Sequence, residues 1–217
     1  MTSRLPRRAA AASSLLVAAL LAGCGNDDST ASGTCDYPDA GAAAKEVDKP
    51  PASPDQDGPL DAVLRLGQGD LTMTLTPDEA PCTVNSFVSL VEQGWYDSTE
   101  CHRLTTEGIF VLQCGDPTAT GTGGPGYTIP DEVDGSETYP AGTVAMARTS
   151  APDSGGSQFF LVYEESQLSA DYTVFGSFGD DGVELLRQIA RGGTADGTTS
   201  GPPATPAEIE TITLERE

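Results

Sequence analysis

The stretch Cys101–Asp116, CHRLTTEGIFVLQCGD, decides the fold. Two short segments, residues 103–105 and 109–113, flank a polar tip, and only strands suit such lengths. Alternation along strands lets Arg103 and Gln113 share one face, while His102 points away from Arg103. The same parity puts Cys101 on the Arg103 side and Cys114 on the other, so a direct Cys101–Cys114 bridge is disfavoured. Cys82 and Cys35 then become the better partners, with the choice between them open.

Working outward, residues 62–66, a Gly67-Gln68-Gly69-Asp70 turn and the alternating residues 71–75 predict a hairpin. Val84, Phe87, Val88 and Val91 fall at helical spacing after Pro81, with Gly94 as the stop. Further short segments at 143–147, 158–162 and 173–175 read as strands, and residues 208–214 as a closing strand. Leu185, Leu186 and Ile189 predict a second helix over residues 182–191, with Asp180 and Asp181 complementing its start and Gly192 ending it. With 25 glycines and 16 prolines, this order suggests a mainly β, closed barrel with helices over its open ends. A single domain is expected over residues 60–217.

Three blocks carry the chemistry. The first is Cys101–Asp116 with the glycine-rich Gly121-Thr122-Gly123-Gly124-Pro125-Gly126; the second is Gly142-Thr143-Val144-Ala145-Met146-Ala147-Arg148; the third is Gly155-Gly156-Ser157-Gln158-Phe159-Phe160 with Val174-Phe175-Gly176. In this order they resemble the cyclophilin signature, over roughly residues 62–214. The resemblance implies a closed eight-stranded antiparallel barrel capped by two α-helices, and rotation about Xaa-Pro bonds without a covalent intermediate, cofactor or metal.

By that resemblance Arg103, Phe110 and Gln113 are catalytic. Phe110, Val111, Phe160 and Leu168 match the positions of the proline pocket. Gln113 and Gln158 anchor the substrate backbone and orient the arginine. The main chain of Ala147 and Arg148 pairs with an extended peptide, and Tyr172, where the family usually has histidine, offers a hydrogen bond.

The physical case stands beside it. Uncatalysed rotation faces about 18–20 kcal/mol because amide resonance must be broken. A dry apolar cleft for the ring, with a fixed donor near the prolyl nitrogen as its lone pair localises, lowers that barrier. Arg103 is such a donor, always charged and rigid in its fork.

The chain departs from the family pattern at four places. Two extra residues lie between Arg103 and Gln113, which a longer hairpin tip absorbs. Gln167 stands where tryptophan is usual, implying weakened cyclosporin binding, and Tyr172 replaces histidine. Arg148 replaces asparagine, placing a positive charge beside the cleft and suggesting a preference for acidic residues near the substrate proline.

The chain's start is organised for export. Arg4, Arg7 and Arg8 precede an apolar run, residues 9–22, too short for a comfortable bilayer span, and then Leu21-Ala22-Gly23-Cys24. That tetrad resembles a bacterial lipobox, implying a signal peptide over residues 1–23 and lipid attachment at Cys24. Residues 24–59, rich in Pro, Ala and Asp and without apolar periodicity, read as a flexible tether, though Cys35-Asp36-Tyr37 could be tied to the domain. The expected location is the extracytoplasmic face of the cell membrane. Beyond Cys24, four cysteines suggest two disulfides rather than a Cys101–His102–Cys114 metal site.

A formal charge of −22 excludes nonspecific attraction to nucleic acid. The expected partners are proline-containing segments of exported proteins, met by a monomer. A serine hydrolase using Ser154 or Ser157 is disfavoured, since there is one histidine and no Gly-x-Ser-x-Gly elbow. The remaining alternative is a non-catalytic, peptide-binding lipoprotein on the same fold.

Overall fold

The computed structural model describes residues 33–215. The signal-peptide and Cys24 readings lie outside the described residues. The hairpin forms as its alternation demands: β1 (Leu60–Leu66) pairs with β2 (Gly69–Leu75), and Ala62, Leu64, Leu71, Met73 and Leu75 all turn into the core. Next comes α1 (Pro81–Glu92), burying Val84, Phe87, Val88 and Val91. The Phe87 ring meets those of Tyr96, Phe159 and Phe175 at 5.2, 5.5 and 5.3 Å.

The capping of α1 comes from far along the chain. Ala80 supplies no side-chain cap. The Glu132 carboxylate instead accepts from the Cys82 and Thr83 amides, each at 2.8 Å, satisfying donors that every helix start leaves open. A negative charge there also suits the helix dipole.

Then follow β3 (Thr99–Glu100), β4 (Arg103–Glu107), β5 (Ile109–Cys114), β6 (Thr143–Met146), β7 (Phe159–Val162), β8 (Val174–Phe178), α2 (Asp180–Arg191), β9 (Ser200–Gly201) and β10 (Glu208–Glu215). Gly108, at φ +76°, turns β4 directly into β5, so the extra residues lengthen the hairpin arms. Helix α2 buries Val183, Leu186 and Ile189.

All ladders are antiparallel and form one ten-stranded sheet in the order β3-β10-β1-β2-β8-β6-β7-β5-β4-β9. Only Cys101 and His102 separate β3, at one end of this order, from β4, beside the other end, so the sheet must curl. The fold is thus mainly β: a curled antiparallel sheet with two helices. Eight of these ten strands have four residues or more. The two further strands, β3 and β9, are two residues each in turn-rich stretches where no alternation can show.

Two expectations need correction. Residues 33–59 are not a free tether. Tyr37 is buried and its hydroxyl donates to Cys82 O, the Asn85 side chain donates to Pro51 O, and Ala40 and Ala44 donate backbone bonds to Gly126 and Gly124. The segment is a strap held by a disulfide, isolated side-chain bonds and main-chain bonds, none of which leaves a periodic trace in the sequence.

The cysteines pair as Cys35–Cys82 and Cys101–Cys114. The parity argument against the second bridge fails because β4 begins only at Arg103: residues 101 and 102 are outside any strand, and the backbone there swings Cys101 into the core beside Cys114. The bridge also takes both sulfurs that a Cys101–His102–Cys114 metal site would need.

Candidate active site

The β4–β5 hairpin sets out the site by alternation. Arg103 lies opposite Gln113, and Ile109, Val111 and Gln113 project to the same side of β5. Val111 is flanked through the β5–β7 ladder by Phe160, which is opposite Gln113. These residues meet Ala147, Arg148, Leu168 and Tyr172 around a cavity of about 120 Å³. One wall is apolar and the other carries the guanidinium.

Phe110 is not in this cavity, which corrects its expected role. It has opposite parity to Val111 and Gln113, packs against the main core and meets the Tyr163 ring at 6.0 Å. Ile109 occupies the wall instead. Strict alternation backward from Gln113 was the signal that could have found it. Gln167 is exposed and not part of the wall.

The guanidinium is held at two nitrogens. Arg103 Nη1 donates to Gln113 Oε1 at 3.2 Å and Nε donates to Ser200 Oγ at 3.0 Å. Behind Gln113 the bonds continue: Gln113 Nε2 donates to Gln158 Oε1 at 2.8 Å, and Gln158 Nε2 to Gly123 O at 2.9 Å. The chain ends on Asp116, buried at the foot of the glycine-rich loop, whose carboxylate accepts from the Thr118, Gly121 and Gly123 amides. Burial alone would raise the Asp116 pKa. The bonds from Gly123, Thr118 and Gly121 outweigh it and hold the carboxyl below its usual range. Ser200 and Asp116 were missed from sequence because their roles run through other side chains.

Arg148 is close to neutralised where it stands. Its guanidinium lies 3.5 Å from both Asp131 and Asp171, and its Cζ sits 5.7 Å from the centre of the Tyr172 ring. The expectation of an unpaired charge favouring acidic substrates therefore loses its basis. Tyr172 is steadied by Tyr139, whose hydroxyl accepts from the Tyr172 amide at 3.0 Å, and by Phe160 at 5.4 Å between rings. The Ala147 amide donates to Gln158 O, so it is committed to the fold and unavailable to a peptide.

His102 packs beside Gly121 with both ring nitrogens buried. Burial lowers its pKa, only partly opposed by the Asp116 charge. Ser157 is buried and donates to Gly115 O, and Ser154 donates to Ala151 O. Neither hydroxyl is paired with the imidazole, so the site has no Ser–His couple. Among the described residues, no group of three or more His, Cys, Asp or Glu side chains is placed to hold a metal.

Comparison with known proteins agrees with this geometry. Residues 62–214 match the family described as cyclophilin type peptidyl-prolyl cis-trans isomerase/CLD. The chain is 45% identical over 197 residues to a probable peptidyl-prolyl cis-trans isomerase B of Mycobacterium leprae, covering 83% of this chain and 66% of that one. A peptidyl-prolyl cis-trans isomerase B of Bacillus subtilis is 43% identical over 120 residues, covering 54% of this chain and 81% of its own. The chain thus spans just under two thirds of the length of the mycobacterial relatives, 66% and 64%. A crystal structure of a Cryptosporidium parvum cyclophilin, solved in the presence of the dipeptide Ala-Pro, superposes with a TM-score of 0.64 at 30% identity, covering 72% of this chain and 99% of that one. From the three sequence blocks, the curled sheet and these matches together, the chain belongs to the cyclophilin-type peptidyl-prolyl cis-trans isomerase family.

Proposed function

We propose that this protein is a peptidyl-prolyl cis-trans isomerase acting on proline-containing segments of exported proteins. The observation that carries the reading is a guanidinium fixed at two nitrogens on the rim of a cavity with one apolar wall, sized for a small ring. The proline ring enters between Val111, Phe160 and Leu168. The remaining Arg103 donors then face the prolyl nitrogen, whose lone pair localises as the C–N bond twists. A donor already oriented costs no reorganisation at that moment, so it favours the twisted state over either planar one. No bond to the protein forms or breaks. The Ala147 carbonyl and the Arg148 main chain are left to pair with the extended peptide. The Ala-Pro dipeptide used with the Cryptosporidium structure is consistent with that occupant.

We extend the reading to the whole chain: residues 1–23 as a lipoprotein signal peptide, Cys24 lipidated, and a monomer at the extracytoplasmic face with its eight longer strands closed as a barrel. Two disulfides support an oxidising compartment. Among the described residues no helix is long and apolar enough to cross a membrane; in this reading the acyl chains on Cys24 supply the attachment.

The test is cis/trans exchange of an Xaa-Pro tetrapeptide followed by NMR, comparing the wild type with Arg103→Ala. The variant is expected to lose about 100-fold in kcat/KM, or about 2.7 kcal/mol. An inactive wild type that still binds the peptide would instead establish the non-catalytic binding module. Mass measurement of the mature N-terminus decides the lipid.

A further inference from the structure

The strap does more than cover helix α1. Beside the proline cavity lies a larger one of about 460 Å³. The two share Gln113, Ala147 and Arg148, so one extended polypeptide can occupy both. One side of the larger cavity is the glycine-rich loop; Ala40 and Ala42 of the strap also line it. Both alanines precede residues 62–214, the part of the chain that matches the family.

The strap is placed firmly enough to act as a wall. Thr128 donates to Pro38 O at 3.0 Å, Ala40 to Gly126 O at 2.9 Å and Ala44 to Gly124 O at 2.9 Å, so its backbone is laced to the loop on the cavity's edge. Cys35–Cys82 fixes its start to α1, and Lys49 Nζ, donating to Tyr37 O at 2.7 Å, ties it back on itself. A side chain at Gly126 would press on the Ala43 amide nitrogen at 3.1 Å, so loop and strap are fitted to each other.

We propose that residues 37–44 form part of the peptide-binding surface, with Ala40 and Ala42 setting the size of a side chain accepted in the larger cavity. The occupant is an uncharged side chain of the same polypeptide that presents its proline to the smaller one. Lack of charge follows from the lining, which is main chain, glycine, alanine, proline, hydroxyl and glutamine amide groups around an Arg148 already paired with Asp131 and Asp171. This rests on the isomerase reading for the placement of the proline, and the strap's part is measured separately.

The experiment compares the wild type with Ala42→Trp on a minimal Xaa-Pro tetrapeptide and on peptides lengthened by three residues, leucine included, on either side of the proline. Ala42 is exposed, so the variant is expected to fold, which its thermal midpoint checks. For one of the two lengthened peptides KM should rise at least fivefold, with the tetrapeptide changed less than twofold. Unchanged KM for both lengthened peptides, or equal loss on all three, overturns the proposal. Independently of catalysis, the amides of Ala40 and Ala42 in the labelled wild type should shift when that lengthened peptide binds and stay still with the tetrapeptide. Absence of that shift overturns the proposal even in an active enzyme, and its presence upholds the surface even if no isomerisation is detected.

Discussion

Ser200 accepts a hydrogen bond from Arg103 Nε at 3.0 Å across 97 residues of sequence, from a strand only two residues long. The bond fixes the plane of the guanidinium, since Gln113 holds only one other nitrogen. Ser200→Ala should lower kcat about fivefold, about 1 kcal/mol, with KM changed less than twofold. Ser200→Thr, which keeps the hydroxyl, should restore most of it. Equal losses in both variants would show Ser200 to be merely structural.

Gly123 is the point where the loop and the glutamine chain meet. A Cβ there would fall 2.0 Å from Asp116 Oδ1, whereas one at the adjacent Gly124 would meet nothing within 4 Å. Gly123→Ala must push the loop away and detach Gln158. About a tenfold loss in kcat/KM is expected, with Gly124→Ala close to wild type, in the same NMR exchange assay.

Ile109 and Phe110 should separate binding from stability. Ile109→Ser is expected to raise KM several-fold with little change in thermal midpoint. Phe110→Ala should cost about 2 kcal/mol of stability, below the roughly 3–5 kcal/mol of fully buried aromatic truncations because the ring is only partly buried, while kcat/KM stays within about twofold. Urea titration alongside peptide kinetics reads both.

Acid should weaken the fold in two stages. His102 has a lowered pKa in the folded chain, so the unfolded chain takes up its proton first. Its contribution is complete above the unfolded value of about 6.5 and declines as pH falls through it. Asp116 is also lowered: its contribution is present above the unfolded value, about 3.9, and is lost as pH falls toward the folded one. Urea midpoints should fall between pH 7 and 5 in the wild type and less in His102→Gln. Below pH 4 a further fall should be reduced in Asp116→Asn.

The two disulfides should contribute unequally. They close loops of 47 and 13 residues, for which chain entropy gives about 4 and about 3 kcal/mol. Cys35→Ser with Cys82→Ser should therefore lower the urea midpoint more than Cys101→Ser with Cys114→Ser. The reverse order would mean that the strap is held chiefly by its hydrogen bonds.

Elements with a repeating apolar face were legible from sequence. Leu71, Met73 and Leu75, or Val84, Phe87 and Val91, state their period in a few residues, and the structure keeps it. Arg103, Val111, Gln113 and Phe160 stand in the ordered motifs and the ladders bring them together, while Leu168 and Tyr172, placed only by the family resemblance, line the same cavity. What stayed hidden has no period. Ser200 lies in a Thr- and Gly-rich stretch and is recruited by a two-residue ladder to β4. Cys101 escapes strand parity because the strand starts two residues later. The strap is held by one disulfide and by scattered side-chain and main-chain bonds with no repeat that a sequence could show.

The docked strap finally changes how far the protein can work from its proposed anchor. Were residues 24–59 all leash, the cleft could roam well clear of the bilayer. With Cys35 pinned to α1, the ten residues 25–34 set a covalent upper limit on the distance from Cys24, roughly 35 Å. Under lipid attachment at Cys24, the isomerase is thus a short-range sentry, meeting polypeptides as they leave the membrane rather than searching the space beyond it.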